Sequence, residues 1–184
     1  MKYFKIGSLL ALLILMSGVG FIYSGVYPMG ADVPHNKLTY WILETLRERS
    51  VANAAKDIVV PENLNDSERL LKGGADYNDM CASCHLKPGK ATSDFSIGLY
   101  PKPPNLSASK DDHEHGHESD EAESAARQFW MIKHGIKASG MPAWGPTHDD
   151  DRIWSMVAFI QRLPDLSSSQ YQILTARESG DDHH

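Results

Sequence analysis

The run Cys81-Ala82-Ser83-Cys84-His85 constrains this chain more than any other stretch of it. Its cysteines are the only two in 184 residues, and composition alone would give such a C-x-x-C-H run on the order of 0.001 times. Cysteines three apart stand about one helical turn from each other, so both thiols reach one edge of a flat macrocycle. The next residue points across the ring face. The run therefore reads as a covalent haem attachment site, in which each thiol adds to a porphyrin vinyl group and His85 is placed to coordinate the iron. The competing structural readings are a disulfide or half of a zinc site. A zinc ribbon needs a second cysteine pair, which the sequence lacks. A thioredoxin-like redox pair needs a βαβ setting, which the flanks do not show.

Residues 6–27 carry no charge and span about 33 Å as a helix, enough for a hydrocarbon core of about 30 Å. Lys2 and Lys5 flank this stretch on one side, Tyr23 and Tyr27 suit an interface at the other, and Pro28 stops it. An uncleaved anchor over residues 1–30 is the expectation. A cleaved signal peptide is the alternative, although no A-x-A-like site follows. Charge splits along the chain: residues 1–60 hold 6 Lys/Arg against 4 Asp/Glu, whereas residues 61–184 hold 12 against 20. Without a polybasic run or interleaved aromatics, nucleic acid is excluded as a partner.

Within 31–60, the juxtamembrane segment, residues 36–58 read as a helix capped by Asn36, with Leu38, Trp41, Ile42, Thr45, Leu46 and Arg49 at helical spacing. It is either an amphipathic helix in the membrane interface or a helix packed on the flank of the next domain. Residues 61–65 read as a linker. A helix over 67–80 then carries Leu70, Gly73, Tyr77 and Met80 toward the cysteines. Residues 86–106, ending Pro101-Lys102-Pro103-Pro104-Asn105-Leu106, read as a fixed non-repetitive loop.

Residues 111–123 hold seven carboxylates and three histidines, too polar for core. They read as a solvated acidic loop, with chelation of Cu(II), Ni(II) or Zn(II) by His113, His115 and His117 as the alternative. A helix over 125–136 offers Phe129, Trp130, Ile132 and Ile136 as core candidates. Then comes Ser139-Gly140-Met141-Pro142-Ala143-Trp144-Gly145. The last predicted helix, 149–163, opens with three aspartates and carries Ile153, Trp154, Met156, Val157, Phe159 and Ile160 on its apolar side. Residues 166–184 read as a tail. No strand-like alternation is present, so the class is all-α.

Taken in order, the helix before the cysteines, C-x-x-C-H, P-P-N-L, G-M-P-x-W-G and an aromatic last helix resemble a class I c-type cytochrome. The resemblance covers residues 66–163, with a haem domain bounded at 61–165. It implies one covalent haem c on Cys81 and Cys84, and His85 as an axial ligand whose Nδ1 bonds the Pro104 carbonyl. It further implies Leu106 packed on the haem, Met141 as sixth ligand, and Gly73 and Tyr77 crossed by Met156 and Phe159. Other side chains in reach of the iron are Met131, His134 and His148. His148, beside three aspartates, is expected to be solvated and protonated. The acidic insert departs from the family pattern.

With the anchor added, the chain is similar to membrane-tethered bacterial cytochromes, single-pass with the haem domain in the periplasm. The implied function is electron transfer without an enzymatic reaction, between a donor dehydrogenase or quinol-oxidising complex and a terminal oxidase or reductase. A haem enzyme or sensor with an open iron position, and a metal-handling protein using the histidine-rich loop, are the competing readings.

Overall fold

The computed structural model describes residues 1–108 and 121–176. Among these residues every regular element is helical, as the sequence predicts. The chain divides into two compact units, Met1–Val33 and Pro34–His184. The first is α1 (Lys2–Ser24), an apolar helix with no buried residue, ended by Gly25 at a φ of 63°. Its mean hydropathy reaches 2.2 over 18 residues, and it is long and apolar enough to cross a membrane.

The second unit begins with α2 (Lys37–Ala55). The Asn36 side chain accepts the Thr39 N–H at 3.0 Å, satisfying one of the donors that a helix start leaves open. The C-terminal half of α2 packs on the rest of this unit: Val51 and Ala55 are buried, and Glu48 pairs with Arg127 of α6 (Glu121–His134). The stripe from Leu38 to Arg49 that periodicity singles out is the outward face, with Trp41 63 % exposed. Residues 61–65 differ from the expected linker. Leu64 closes a turn onto the Pro61 carbonyl at 3.2 Å, and Ile58, Val60 and Leu64 all pack on the core. The apolar residues in this short stretch hold it down.

The core is a crossing of α3 (Ser67–Asp76) and α7 (Asp150–Arg162). Gly73 makes the crossing possible, because a Cβ there would stand 1.9 Å from the Ser155 carbonyl oxygen. Tyr77, Met156 and Phe159 are wholly buried at this junction, the rings of Tyr77 and Phe159 5.4 Å apart. Asp76, also buried, accepts two hydrogen bonds from the Arg152 guanidinium at 2.7 and 2.8 Å. Asp149 caps α7 by accepting the Arg152 N–H at 2.8 Å, and all six apolar candidates on α7 are buried. On α6, Phe129 and Ile132 are buried, and Phe129 stacks on Trp154 at 4.2 Å. Trp130 and Ile136, expected in the core, are half-buried.

The end of the chain also departs from the sequence reading. Within the expected tail, Ser168–Leu174 form a further helix, α8, started by a capping box between Ser167 and Gln170. Its buried Tyr171 closes an aromatic cluster with Phe159 and Tyr77, at 6.0 and 6.4 Å. Of α8 only Tyr171 is buried, with Leu174 packed partly against the core, which is too faint a pattern for periodicity to find.

Candidate haem-binding site

Where the sequence predicts a continuous helix over 67–80, α3 passes into a π-helical turn, Tyr77–Cys81. The Ala82 N–H donates to the Tyr77 carbonyl five residues back. One extra residue in a turn rotates everything after it, a device common where a helix must aim functional side chains. Here it delivers Cys81 onto the core while α4 (Ala82–His85) carries Cys84 and His85, all three half-buried. Both thiols are free, so the disulfide reading does not hold. Burial first, and then the charges of Asp76 and Cys84, push the Cys81 thiol up to about 12.

Leu86 ends α4 in a left-handed conformation, φ 68°, while its side chain is buried. The strain is offset locally: its N–H donates to Ala82 O at 3.0 Å and its carbonyl accepts the Tyr77 hydroxyl at 2.7 Å. Tyr77 is thus more than a crossing residue, since it ties the crossing to the chain leaving the C-x-x-C-H run. Sequence gave no sign of that second contact.

The loop from residue 86 to 106 returns to His85 and grips it twice. The His85 Nδ1–H donates to the Pro104 carbonyl at 3.0 Å, and the Leu106 N–H donates to the His85 carbonyl at 3.1 Å. A carbonyl can only accept, so the proton sits on Nδ1 and the lone pair on Nε2. Burial lowers the His85 pKa, with the Pro104 bond working against that shift. Inside this loop lies a short helix the sequence did not show, α5 (Asp94–Gly98), capped by Ser93, whose hydroxyl also donates to the Ser83 carbonyl between the cysteines.

Met141 stands in a loop fastened to the end of α6. The Trp144 and Gly145 N–H groups donate to the Ile132 and Lys133 carbonyls at 3.1 and 2.9 Å, and the Ile136 N–H donates to Met141 O at 3.2 Å. Gly135, at a φ of 63°, allows this approach: a Cβ there would lie 2.7 Å from the Ala143 nitrogen and 2.8 Å from Met141 O. Gly140 faces the Leu99 side chain, joining the Met141 loop to the stretch after α5. Cys81, Leu106 and Met141 all pack against the same core.

The other reachable side chains are placed differently. His134 is exposed at the end of α6, 4.9 Å from the Trp130 ring. Met131 is half-buried on the same helix. His148 is half-buried, and its pKa is lowered by burial and then by Arg152, contrary to the solvated, protonated state expected. The neighbouring aspartates are committed elsewhere: Asp149 to the α7 cap, Asp150 to Lys133 at 2.6 Å, and Asp151 to Arg69 at 2.7 Å. His113, His115 and His117 lie outside the described residues. Among the described residues no group of three or more His, Cys, Asp or Glu could hold a metal ion.

Two free thiols a turn apart, an imidazole of fixed tautomer and a thioether in a pinned loop are a donor set that fits covalent haem. Residues 68–160, just over half of the chain, match the family model described as Cytochrome C oxidase, cbb3-type, subunit III. No curated protein and no solved structure matches the chain. The chain belongs to that family, and it is a c-type cytochrome that carries covalently bound haem c.

Proposed function

We propose that this cytochrome is a membrane-tethered one-electron carrier, with its haem held by Cys81 and Cys84 and ligated by His85 and Met141. The observation that carries the reading is the double grip on His85 by Pro104 and Leu106. It holds the ring in one tautomer and orientation, keeps the Nε2 lone pair available, and raises ligand basicity through the Nδ1 bond. Pro142 and Gly135 fix the backbone that presents the Met141 thioether, and Leu106 adds an apolar wall on the same core.

When bound, the haem supplies an Fe(III)/Fe(II) couple, and a thioether opposite an imidazole favours the reduced state. With His85 and Met141 both holding the iron, no position would be left on it for a substrate, which suits a carrier rather than an enzyme. Helix α1 is the candidate anchor, with the haem domain on the periplasmic side. Redox partners fit a donor dehydrogenase or quinol-oxidising complex on one side and a terminal oxidase or reductase on the other. The family description supports an oxidase of the cbb3 type.

The full-length protein, purified from membranes, tests this. Its optical redox titration should follow a one-electron Nernst curve, and the ferrous form should leave added carbon monoxide unbound. Stoichiometric carbon monoxide binding by the unmodified protein would instead establish an open iron position and end the carrier reading.

A further inference from the structure

We infer that the outward stripe of α2, built by Leu38, Trp41, Ile42 and Leu46, seats in the headgroup–acyl boundary of a lipid bilayer; this rests on the reading of α1 as a membrane anchor. The four side chains recur at i, i+3, i+4 and i+8, one face of a helix. They are 65, 63, 48 and 64 % exposed. The opposite face is committed to protein through Glu48 with Arg127 and through buried Val51 and Ala55. The N-terminal end is held as well, by Tyr40 and His35 beside the Tyr100 ring, at 6.5 and 5.3 Å between centroids. The helix therefore cannot roll its apolar stripe inward without giving up contacts on both sides.

Three features identify lipid as the occupant. A contiguous apolar patch on a soluble surface marks an interaction site. Trp41 among three aliphatic side chains, with Arg49 one turn further along the same face, suits a helix that lies in a membrane interface. And only 12 residues separate Ser24 from Lys37, so α2 begins no more than about 47 Å of extended chain from the end of the anchor. A second copy or another protein fits less well, because four side chains fall short of the ~800 Å² per partner of a standard interface. Since α2 touches Tyr100 in the loop after His85 and Arg127 on the helix before Met141, seating it would fix which face of the haem domain meets the aqueous phase.

The test is lipid photolabelling of the full-length holoprotein in phosphatidylcholine–phosphatidylglycerol vesicles, using a diazirine carried on an acyl chain and adducts mapped by peptide mass. Adducts should appear in α1 and on residues 38–46, and be absent from α8, whose Ile173 is 71 % exposed to water. The Trp41→Glu/Leu46→Glu double variant should lose the α2 adducts while keeping those in α1 and an unchanged haem spectrum. Labelling of α1 with none on 38–46 in the unmodified protein overturns the inference and leaves the anchor standing. No labelling of α1 overturns both.

Discussion

Replacing Gly73 with alanine sets two effects of opposite sign against each other. In a helix, Gly→Ala gains about 1 kcal/mol of propensity. At this position the new Cβ would stand 1.9 Å from the Ser155 carbonyl oxygen and 2.4 Å from its carbon. A carbon and a carbonyl oxygen approach to about 3.3 Å, so α3 and α7 must part by roughly 1.4 Å. Neither obstacle is a side chain that can swing aside. A gap of that size forfeits about half of the dispersion between the faces it separates, which here include wholly buried Tyr77, Met156 and Phe159. Overpacking costs about 1–3 kcal/mol, and a backbone-on-backbone clash belongs at the top of that range. The net expectation is a loss of about 2 kcal/mol, or about 4–8 °C in Tm. Thermal unfolding of the holoprotein followed by far-UV circular dichroism reads it. Gly98→Ala, with nothing within 4 Å of the added Cβ, is the control and should stay within about 1 kcal/mol of the parent. Gly73→Ala unfolding at or above the parent temperature would refute the close crossing.

Arg152→Met should cost about 2–3 kcal/mol in denaturant unfolding, because it removes two charge-assisted hydrogen bonds to the Asp76 carboxylate, only 8 % exposed. Tyr171→Phe should cost about 1 kcal/mol through loss of the hydroxyl bond to Asn78, and a chain stopped after residue 165 should lose more, since the Tyr171 ring goes too. His148 has a folded-state pKa below the ordinary 6.5, so the unfolded chain binds more protons as pH falls. Its contribution to stability is complete above pH 6.5 and is lost below it; an acid titration of unfolding midpoints should show the fall, and His148→Gln should flatten it. Cys81→Ala and Cys84→Ala should each leave haem bound by one thioether or lost, as intact mass and absorption will show; a full complement of doubly attached haem in either would contradict the assignment.

Much of this was legible in the chain because the motifs that bind a macrocycle are rigid in sequence. C-x-x-C-H and P-P-N-L lie 19 residues apart from His85 to Pro104, yet they meet through the His85 ring bond to Pro104 and the Leu106 backbone bond to His85. The crossing at Gly73 and Tyr77 follows from the resemblance to class I cytochromes, and a Cβ at Gly73 would indeed meet the Ser155 carbonyl oxygen at 1.9 Å. What escaped notice depends on contacts that leave no periodic trace. The π turn at Tyr77–Cys81 has ordinary residues, and its i→i−5 bond follows from packing rather than composition. Helix α8 rests on one buried tyrosine and a capping box. For α2 the apolar stripe was the visible signal, but small Val51 and Ala55 and the Glu48–Arg127 pair decide which face meets the protein. His148 departs from expectation because burial and then the Arg152 charge, neither visible in its sequence neighbours, outweigh the opposing charges of Asp76 and Asp149.

The central claim is that His85 and Met141 together close the iron, and carbon monoxide binding to the ferrous Met141→Ala variant tests it most directly. Met141 lies in a loop pinned to Ile132, Lys133 and Ile136 through backbone bonds, so removing its thioether should leave the loop in place and the sixth position open. The account predicts stoichiometric carbon monoxide binding and a lowered reduction potential in Met141→Ala, with neither change in His134→Ala or His148→Ala. A Met141→Ala protein that keeps the parent spectrum and still excludes carbon monoxide would contradict it.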